Sequence, residues 1–194
     1  MNNYFATRPV DPERDVQLKV LEHLDQYAHY PYIGFLKNQD NEPIRRDTLI
    51  SYLKDKQHCT DRQAKEALNK LLDAAHCVRE QDLYAANKAV YNALRYGVSV
   101  STPQNTHTTK WLIDWEHPEN NIYEVAEEVS VPCSHPDINH LRPDVVVYVN
   151  GIALVVLELK KSTVSAKDAI RQNIRNQEMI PHFFAVPQLL LAGN

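Results

Sequence analysis

The segment from Leu141 to Ser162, LRPDVVVYVNGIALVVLELKKS, constrains the fold more than any other part of the chain. It contains two runs of consecutive apolar residues joined by Asn150-Gly151, a dipeptide typical of β-hairpin turns. Strands that are apolar on both faces occur where both faces of a sheet are covered. The segment therefore predicts two central strands of an α/β fold, with further layers on each side.

The rest of the chain divides into helical and extended parts. From about residue 12 to 80 the apolar spacing is helical, and a further helix from about 84 to 96 ends at Gly97. Between residues 98 and 131 the pattern becomes extended, with three candidate strands that include HTTKWLIDW and NIYEVAEEVSV. After the central hairpin, a helix from Lys167 to Met179 and a short buried strand, QLLLAG, complete the prediction.

Two short helices between Arg46 and Val78 are joined by a tight turn, and Thr60 or Asp61 can cap the second. This is how a helix-turn-helix or winged-helix unit begins. We favour a helical packing extension, because no cluster of Lys and Arg marks a DNA-reading helix. The predicted domains are a helical extension at 1–80, with a winged-helix-like unit as the alternative, and a core at 81–194.

Composition excludes several classes of protein. No apolar run approaches the length of a membrane span, and the first residues lack the plan of a signal peptide. Three scattered cysteines argue against a disulfide framework, so we expect a cytoplasmic protein and no membrane partner. No phosphate-binding loop sequence is present, so the chain itself should not bind ATP.

The two central strands carry three residues suited to phosphodiester hydrolysis, which needs a cation, an activated water and positive charge near the phosphoryl oxygens. Asp144 follows Pro143 at the start of the first strand, and Glu158 and Lys160 lie at the end of the second. Asp144, Glu158 and the main-chain carbonyl of Leu159 would hold Mg²⁺, with Mn²⁺ as an alternative. Lys160 would polarise the water or neutralise developing charge. The alternative is that these charged strand ends simply emerge into solvent.

The turn decides whether Asp144 and Glu158 share a face. Side chains alternate along a strand, so Glu158 and Lys160 project together and Leu159 points into the core. A strict two-residue turn sets Asp144 opposite Leu157, on the wrong face. A three-residue turn with Gly151 in a bulge sets it opposite Val156, diagonal to Glu158. We therefore predict this bulged turn, or an equivalent irregularity before Asp144.

The helix that follows carries a basic stripe, Lys167, Arg171 and Arg175, at intervals of four residues. With Lys161 these residues are candidate DNA contacts, although a solvated helix face would look the same. Trp111 and Trp115 could stack on bases, but aromatic residues on strands are more often part of the core.

The segments quoted above, with ALRYGVSV, DAIRQN and IPHFFAVPQLLLAGN, resemble the N-terminal nuclease region of the R subunit of type I restriction endonucleases, over roughly residues 85–194. The resemblance implies a PD-(D/E)xK restriction-endonuclease-like core, a mixed sheet flanked by helices. It implies that Asp144, Glu158 and Lys160 are catalytic and metal-binding. Gln172 matches the glutamine of the family's QxxxY helix motif, and Asn176 stands at its tyrosine position.

The resemblance also implies a function: Mg²⁺-dependent cleavage of double-stranded DNA in the bacterial cytoplasm. In such enzymes the R subunit continues into an ATP-driven DNA translocase and joins methyltransferase (M) and specificity (S) subunits. DNA delivered by a motor would explain why a nuclease has a net charge of -4. Two other hypotheses remain, a non-catalytic module that docks on DNA or a partner, and a repair nuclease of the same superfamily.

Overall fold

A computed structural model describes residues 12–194 of the chain. Its main sheet has five strands in the spatial order β1-β4-β7-β8-β9. These strands are β1 (Tyr32–Phe35), β4 (Tyr123–Glu127), β7 (Val145–Val149), β8 (Ile152–Leu159) and β9 (Leu189–Gly193). The pairs β4–β7 and β7–β8 are antiparallel, whereas the edge strands β1 and β9 are parallel to β4 and β8. The expected mixed sheet with two apolar central strands is confirmed.

Helices cover both faces of this sheet. The helices are α1 (Pro12–Gln26), α2 (Arg46–Asp55), α3 (Asp61–Ala74), α4 (Leu83–Tyr96), α5 (Ala166–Met179) and α6 (Pro181–Phe184). Leu21 of α1 packs with Val145 on one face, and Phe183 of α6 packs with Val146 on the other. Every residue of β7 is buried, because neighbouring residues of the strand face different apolar layers. None of the helices within residues 12–194 has the length and apolarity needed to cross a membrane.

A second apolar cluster surrounds the turn of the central hairpin. Leu49 of α2, Leu71 of α3 and Leu94 of α4 are buried in this cluster together with Ile152, the first residue of β8. Thr60 caps α3 in a capping box with Gln63, as the sequence predicts. The helical unit is thus packed onto the sheet, while its winged-helix character stays a prediction.

Four shorter strands form two hairpins apart from the main sheet. They are β2 (Val98–Ser101) with β3 (His107–Lys110), and β5 (Val131–His135) with β6 (Ile138–Leu141). Gly97 ends α4 with φ 72°, which confirms the predicted helix end. An added Cβ there would lie 2.8 Å from the carbonyl oxygen of Lys110, so the approach of β3 also requires glycine.

Parts of the chain differ from the sequence prediction. Residues 32–35 form the edge strand β1 inside a region where we predicted helices, because tertiary pairing with β4 outweighs local apolar spacing. Residues 12–35 therefore add a helix and a strand to the main sheet, and a domain boundary at residue 80 stays a prediction. Leu189 and Leu191 of β9 are partly exposed, since an edge strand is covered less completely than a central one.

The prediction that Trp111 and Trp115 belong to the core is wrong. Their residues lie after β3 in an irregular segment, and the side chains are 42% and 45% exposed. The indole N–H of Trp115 donates to the main-chain oxygen of Leu94 over 2.8 Å. Trp115 therefore lies at the surface beside the end of α4, where its indole N–H satisfies a helix carbonyl.

The central hairpin turns in two residues, with Asn150 at φ 53° and Gly151 at φ 78°. Val149 therefore pairs with Ile152, and the predicted three-residue turn is wrong. The register instead shifts between Val147 and Tyr148, which leaves Leu154 as an extra residue in β8. The alternative condition, an equivalent irregularity before Asp144, is confirmed.

Tertiary contacts explain why the turn itself stays tight. A Cβ at Gly151 would lie 2.6 Å from the main-chain oxygen of Arg45, so the turn lies directly against the start of α2. Asn150 is fully buried, and its side-chain amide donates to Leu112 and Asn121. Its side-chain oxygen accepts a bond from the main-chain N–H of Ile122. The contact with α2 and these hydrogen bonds together hold the turn at two residues.

Replacing Asn150 with Ala should lower the free energy of unfolding by about 3 kcal/mol. Buried partners would lose their hydrogen bonds, at about 1–3 kcal/mol each, and alanine is strained at this positive φ. Asn105 is the matched control, because it has φ 57° but lies exposed in the β2–β3 turn. Urea unfolding should show a loss of about 1 kcal/mol for Asn105→Ala, and an equal loss in both variants would contradict the proposed role of Asn150.

Candidate metal and nuclease site

The bulge at Leu154 brings the two carboxylates of the predicted site together. Val145 pairs with Leu157, so the next pair outward along the same register is Asp144 and Glu158. Directly opposite residues of an antiparallel pair lie on the same face, with Cβ atoms about 5 Å apart. This is the face on which Val146 and Val156 pack with Phe183 of α6. Helix α5 reaches the same face through Gln172, which contacts Glu158.

Main-chain groups of both neighbouring strands hold Asp144 in place. Its Oδ2 accepts a hydrogen bond from the main-chain N–H of Leu159 over 2.7 Å, and the residue is only 7% exposed. On the other side, its main-chain oxygen accepts from the N–H of Glu128 over 2.9 Å. The carboxylate of Asp144 is thus positioned by the backbone before any ligand arrives.

Glu158 is fully buried, and only one of its carboxylate oxygens accepts a hydrogen bond from residues 12–194. Gln172 of α5 donates its side-chain N–H to Oε1. A hydrogen bond between the side chains of Glu158 and Asp144, which needs a proton on one of them, also raises the pKa of Glu158. A buried carboxylate oxygen without a donor is costly, so the pair requires either that proton or a cation.

Burial first, and then the nearby charge of Asp144, together raise the pKa of Glu158 from its ordinary value of 4.5 to about 9. Lys160 acts in the opposite direction and lowers the same pKa, so its ammonium lies within electrostatic reach of the pair. Without a cation, Glu158 is therefore protonated at neutral pH. Binding a cation at Oε2 would release that proton.

The structure thus places four of the predicted site residues together. Asp144 and Glu158 face each other, Gln172 contacts Glu158, and Lys160 lies on the Glu158 side of the strand by alternation. Leu159 is 5% exposed and packs in the cluster beneath α1, as expected. Whether its carbonyl binds a cation stays a prediction.

The candidate DNA contacts lie outside this pocket. Lys161, Lys167, Arg171 and Arg175 are all exposed. Arg171 forms an ion pair with Asp168 over 2.7 Å, so this member of the basic stripe is already paired with a carboxylate of the same helix. Exposure agrees equally with phosphate contact and with a solvated face, and the DNA contacts stay predictions.

Two residues of interest received no catalytic role from the sequence. Glu128 follows β4 with φ 50°, and its charge contributes to the raised pKa of Glu158. Asn176 lies one turn after Gln172 and is 2% exposed, and its Nδ2 donates no hydrogen bond to the described residues. The sequence does show an acidic pair at the end of an apolar strand, and Glu128 is its second member. That Glu128 lies next to Asp144 could not be predicted from the sequence, because it depends on strand pairing.

The donor set fits a hard, partly hydrated cation. Within residues 12–194, no three His, Cys, Asp or Glu side chains lie close enough together to hold a metal ion by themselves. The described residues instead offer two opposed carboxylates, and one of them has a buried oxygen that accepts no hydrogen bond from residues 12–194. Mg²⁺ keeps several waters and is commonly bound through one or two carboxylates, so it suits this arrangement.

Comparison with known proteins matches residues 13–194 to the family described as type I restriction enzyme R protein N terminus. A putative type I restriction enzyme MjaIXP endonuclease subunit from Methanocaldococcus jannaschii is 31% identical over 119 residues. The type I restriction enzyme HindI endonuclease subunit from Haemophilus influenzae is also 31% identical over 119 residues. Each match covers 58% of this chain, which spans 11% of the length of these relatives. The family match begins well before residue 85 and so includes helices α1 to α4.

In the metal-free protein, Glu158→Gln should raise the free energy of unfolding, and the gain should grow between about pH 6 and about pH 8. The raised pKa of Glu158 means that the folded state binds more protons than the unfolded chain over this range, so the parent loses stability as pH rises. A glutamine has no proton to lose, and its Oε1 still accepts from Gln172.

Thermal unfolding in a chelator at both pH values tests this expectation. Glu22→Gln, exposed on α1, is the matched control. Parallel pH dependence in the two variants would show that Glu158 is not the buried titrating group.

Proposed function

The chain belongs to the family of type I restriction enzyme R protein N termini, and on that premise we propose that it is a Mg²⁺-dependent endonuclease domain that cuts double-stranded DNA. The proposal assigns the mixed sheet and its helices to the PD-(D/E)xK nuclease fold. One observation carries it: Asp144 and Glu158 face each other across β7 and β8, and the buried Oε2 of Glu158 has no donor within residues 12–194.

Asp144, Glu158 and the main-chain carbonyl of Leu159 would hold the cation. When bound, Mg²⁺ or Mn²⁺ supplies a Lewis acid and lowers the pKa of a coordinated water. The N–H of Leu159 already fixes Asp144, which keeps this carboxylate in one orientation. A prepositioned site loses little conformational entropy on binding.

Lys160 and Gln172 would act beside the cation. Lys160, two residues after Glu158, places an ammonium where it can orient the attacking water or offset charge on the phosphoryl oxygens. Gln172 donates to Glu158 Oε1, which leaves Oε2 facing the cation site. Gln172 therefore acts as a positioning residue for Glu158.

DNA would reach this site mainly through other parts of the enzyme. The chain has 21 Lys and Arg against 25 Asp and Glu, so it has little electrostatic affinity for a polyanion. We propose that the longer subunit carries the ATP-driven motor and associates with the M and S subunits, which choose the target. The exposed Lys161, Lys167, Arg171 and Arg175 would then contact phosphates next to the cleavage site.

Calorimetry should detect Mg²⁺ or Mn²⁺ binding to the parent protein, and Glu158→Gln should weaken binding by about 100-fold or more. Removing a residue around a metal ligand already costs about 10- to 100-fold in affinity, so loss of a direct ligand should reach the upper end. Binding to the parent should tighten as the pH rises towards 9, because the proton on Glu158 must leave.

Glu119→Gln, in the exposed turn Pro118–Asn120, is the control and should bind like the parent. If the parent binds neither ion, the metal-dependent function is wrong, and a non-catalytic docking module becomes the better interpretation.

Lys160→Ala in the full-length subunit, assembled with its partners, should reduce DNA cleavage by about 100-fold or more while ATP hydrolysis persists. The lysine acts on the reacting phosphate, whereas the motor is a separate part of the subunit. Cleavage is measured with Mg²⁺ and ATP, with ATP hydrolysis followed in parallel. Lys88→Ala, exposed on α4, should leave both unchanged. Full cleavage by the Lys160 variant would place the active site elsewhere.

A further inference from the structure

Three acidic residues from three neighbouring strands lie side by side at one end of the main sheet. We infer that Glu128, at the end of β4, is the third acidic residue of the metal site and orients the hydrated cation from the side opposite Glu158. The inference rests on the proposed function, because it concerns the same cation.

The strand register places the three residues in order. Glu127 pairs with Val145, so Glu128 is the next partner outward of Asp144. On the other side of Asp144, the β7–β8 register makes Glu158 its next partner. Adjacent strands are about 4.8 Å apart, so the acidic row Glu128–Asp144–Glu158 spans roughly 10 Å.

Hydrogen bonds fix Glu128 at this position. Its N–H donates to the main-chain oxygen of Asp144 over 2.9 Å, and the next N–H, of Val129, donates to Pro143 over 3.2 Å. Glu128 is partly exposed and interacts electrostatically with Glu158. It is therefore the member of the row that solvent and a hydrated ion can reach.

A separate observation indicates that the row binds a ligand. Glu158 is fully buried, and its Oε2 accepts no hydrogen bond from residues 12–194. Three charged carboxylates at such spacing repel one another, so only a bound proton or a cation lets them lie together. A cation beside Oε2 would satisfy that atom and allow all three residues to be charged.

The backbone of Glu128 decides which substitution can test its side chain. Its φ of 50° is a left-handed conformation, which costs a non-glycine residue about 1–2 kcal/mol. Asn or Gly would fit this conformation with less strain. Asparagine therefore removes the carboxylate without straining the backbone.

Glu128 would act through water. No three acidic side chains within residues 12–194 are close enough to bind one ion directly. The cation proposed between Asp144 and Glu158 keeps coordinated waters, and Glu128 would accept a hydrogen bond from one of them. Glu128 is thus a positioning residue, and its loss should weaken metal binding without abolishing it.

Glu128→Asn tests this role, because asparagine suits the left-handed backbone but has no charge. Metal-free Glu128→Asn should be at least as stable as the parent, while its affinity for Mn²⁺ in calorimetry should fall by about 10-fold. Glu128→Asp keeps the charge and should retain affinity closer to that of the parent. Glu119→Gln should match the parent in both measurements.

The outcomes separate this inference from the proposed function. If the parent binds Mn²⁺ and Glu158→Gln loses binding, but Glu128→Asn binds like the parent, only the role of Glu128 is wrong. If Glu128→Asn loses affinity together with stability in the metal-free state, the residue is structural and the inference fails. If the parent does not bind Mn²⁺, both fail.

Discussion

The register between β7 and β8 is the constraint on which the site depends. One extra residue, Leu154, shifts the pairing so that Asp144 meets Glu158 instead of Leu157. A one-residue change in register moves every later side chain to the other face of a strand. Without the bulge, the two carboxylates would lie on opposite faces of the sheet, and no single cation could bind both. The tight turn and the bulge therefore act together. The turn sets the pairing at the start of β8, and the bulge changes the pairing beyond it, so that Glu158 lies opposite Asp144.

Opposite ends of the same hairpin serve different purposes. At the turn, Asn150 is buried under α2 and bonded to the segment that contains Leu112 and Asn121, which joins the helical unit to the sheet. At the other end, Glu158 is equally buried, but its Oε2 accepts no hydrogen bond within residues 12–194. Buried polar groups with all their bonds stabilise one arrangement. The helical unit thus holds the hairpin at the end opposite the candidate site.

Burial gives the carboxylate pair its electrostatic character. The pKa of Glu158 is raised because solvent is excluded and Asp144 lies opposite, so the pair retains a proton at neutral pH. Under the proposed function a cation would replace that proton, and the proposed acidic row that includes Glu128 would favour the cation.

The sequence by itself determined the local features: the two apolar strands, the Asn150-Gly151 turn, the Thr60 cap, the Gly97 helix end, and the identity of Asp144, Glu158 and Lys160 as candidates. Each follows from alternation, turn chemistry or residue type within a few positions. Only the tertiary structure decided that β1 joins the sheet, that Trp111 and Trp115 are exposed, and that Glu128 lies beside Asp144. These depend on pairing between segments far apart in the chain. The position of the bulge was also decided by tertiary packing. Gly151 lies directly against the start of α2, so the turn stays at two residues and the irregularity lies further along β8. Local spacing specifies which face a side chain prefers, but the packing of distant segments decides which residues share that face.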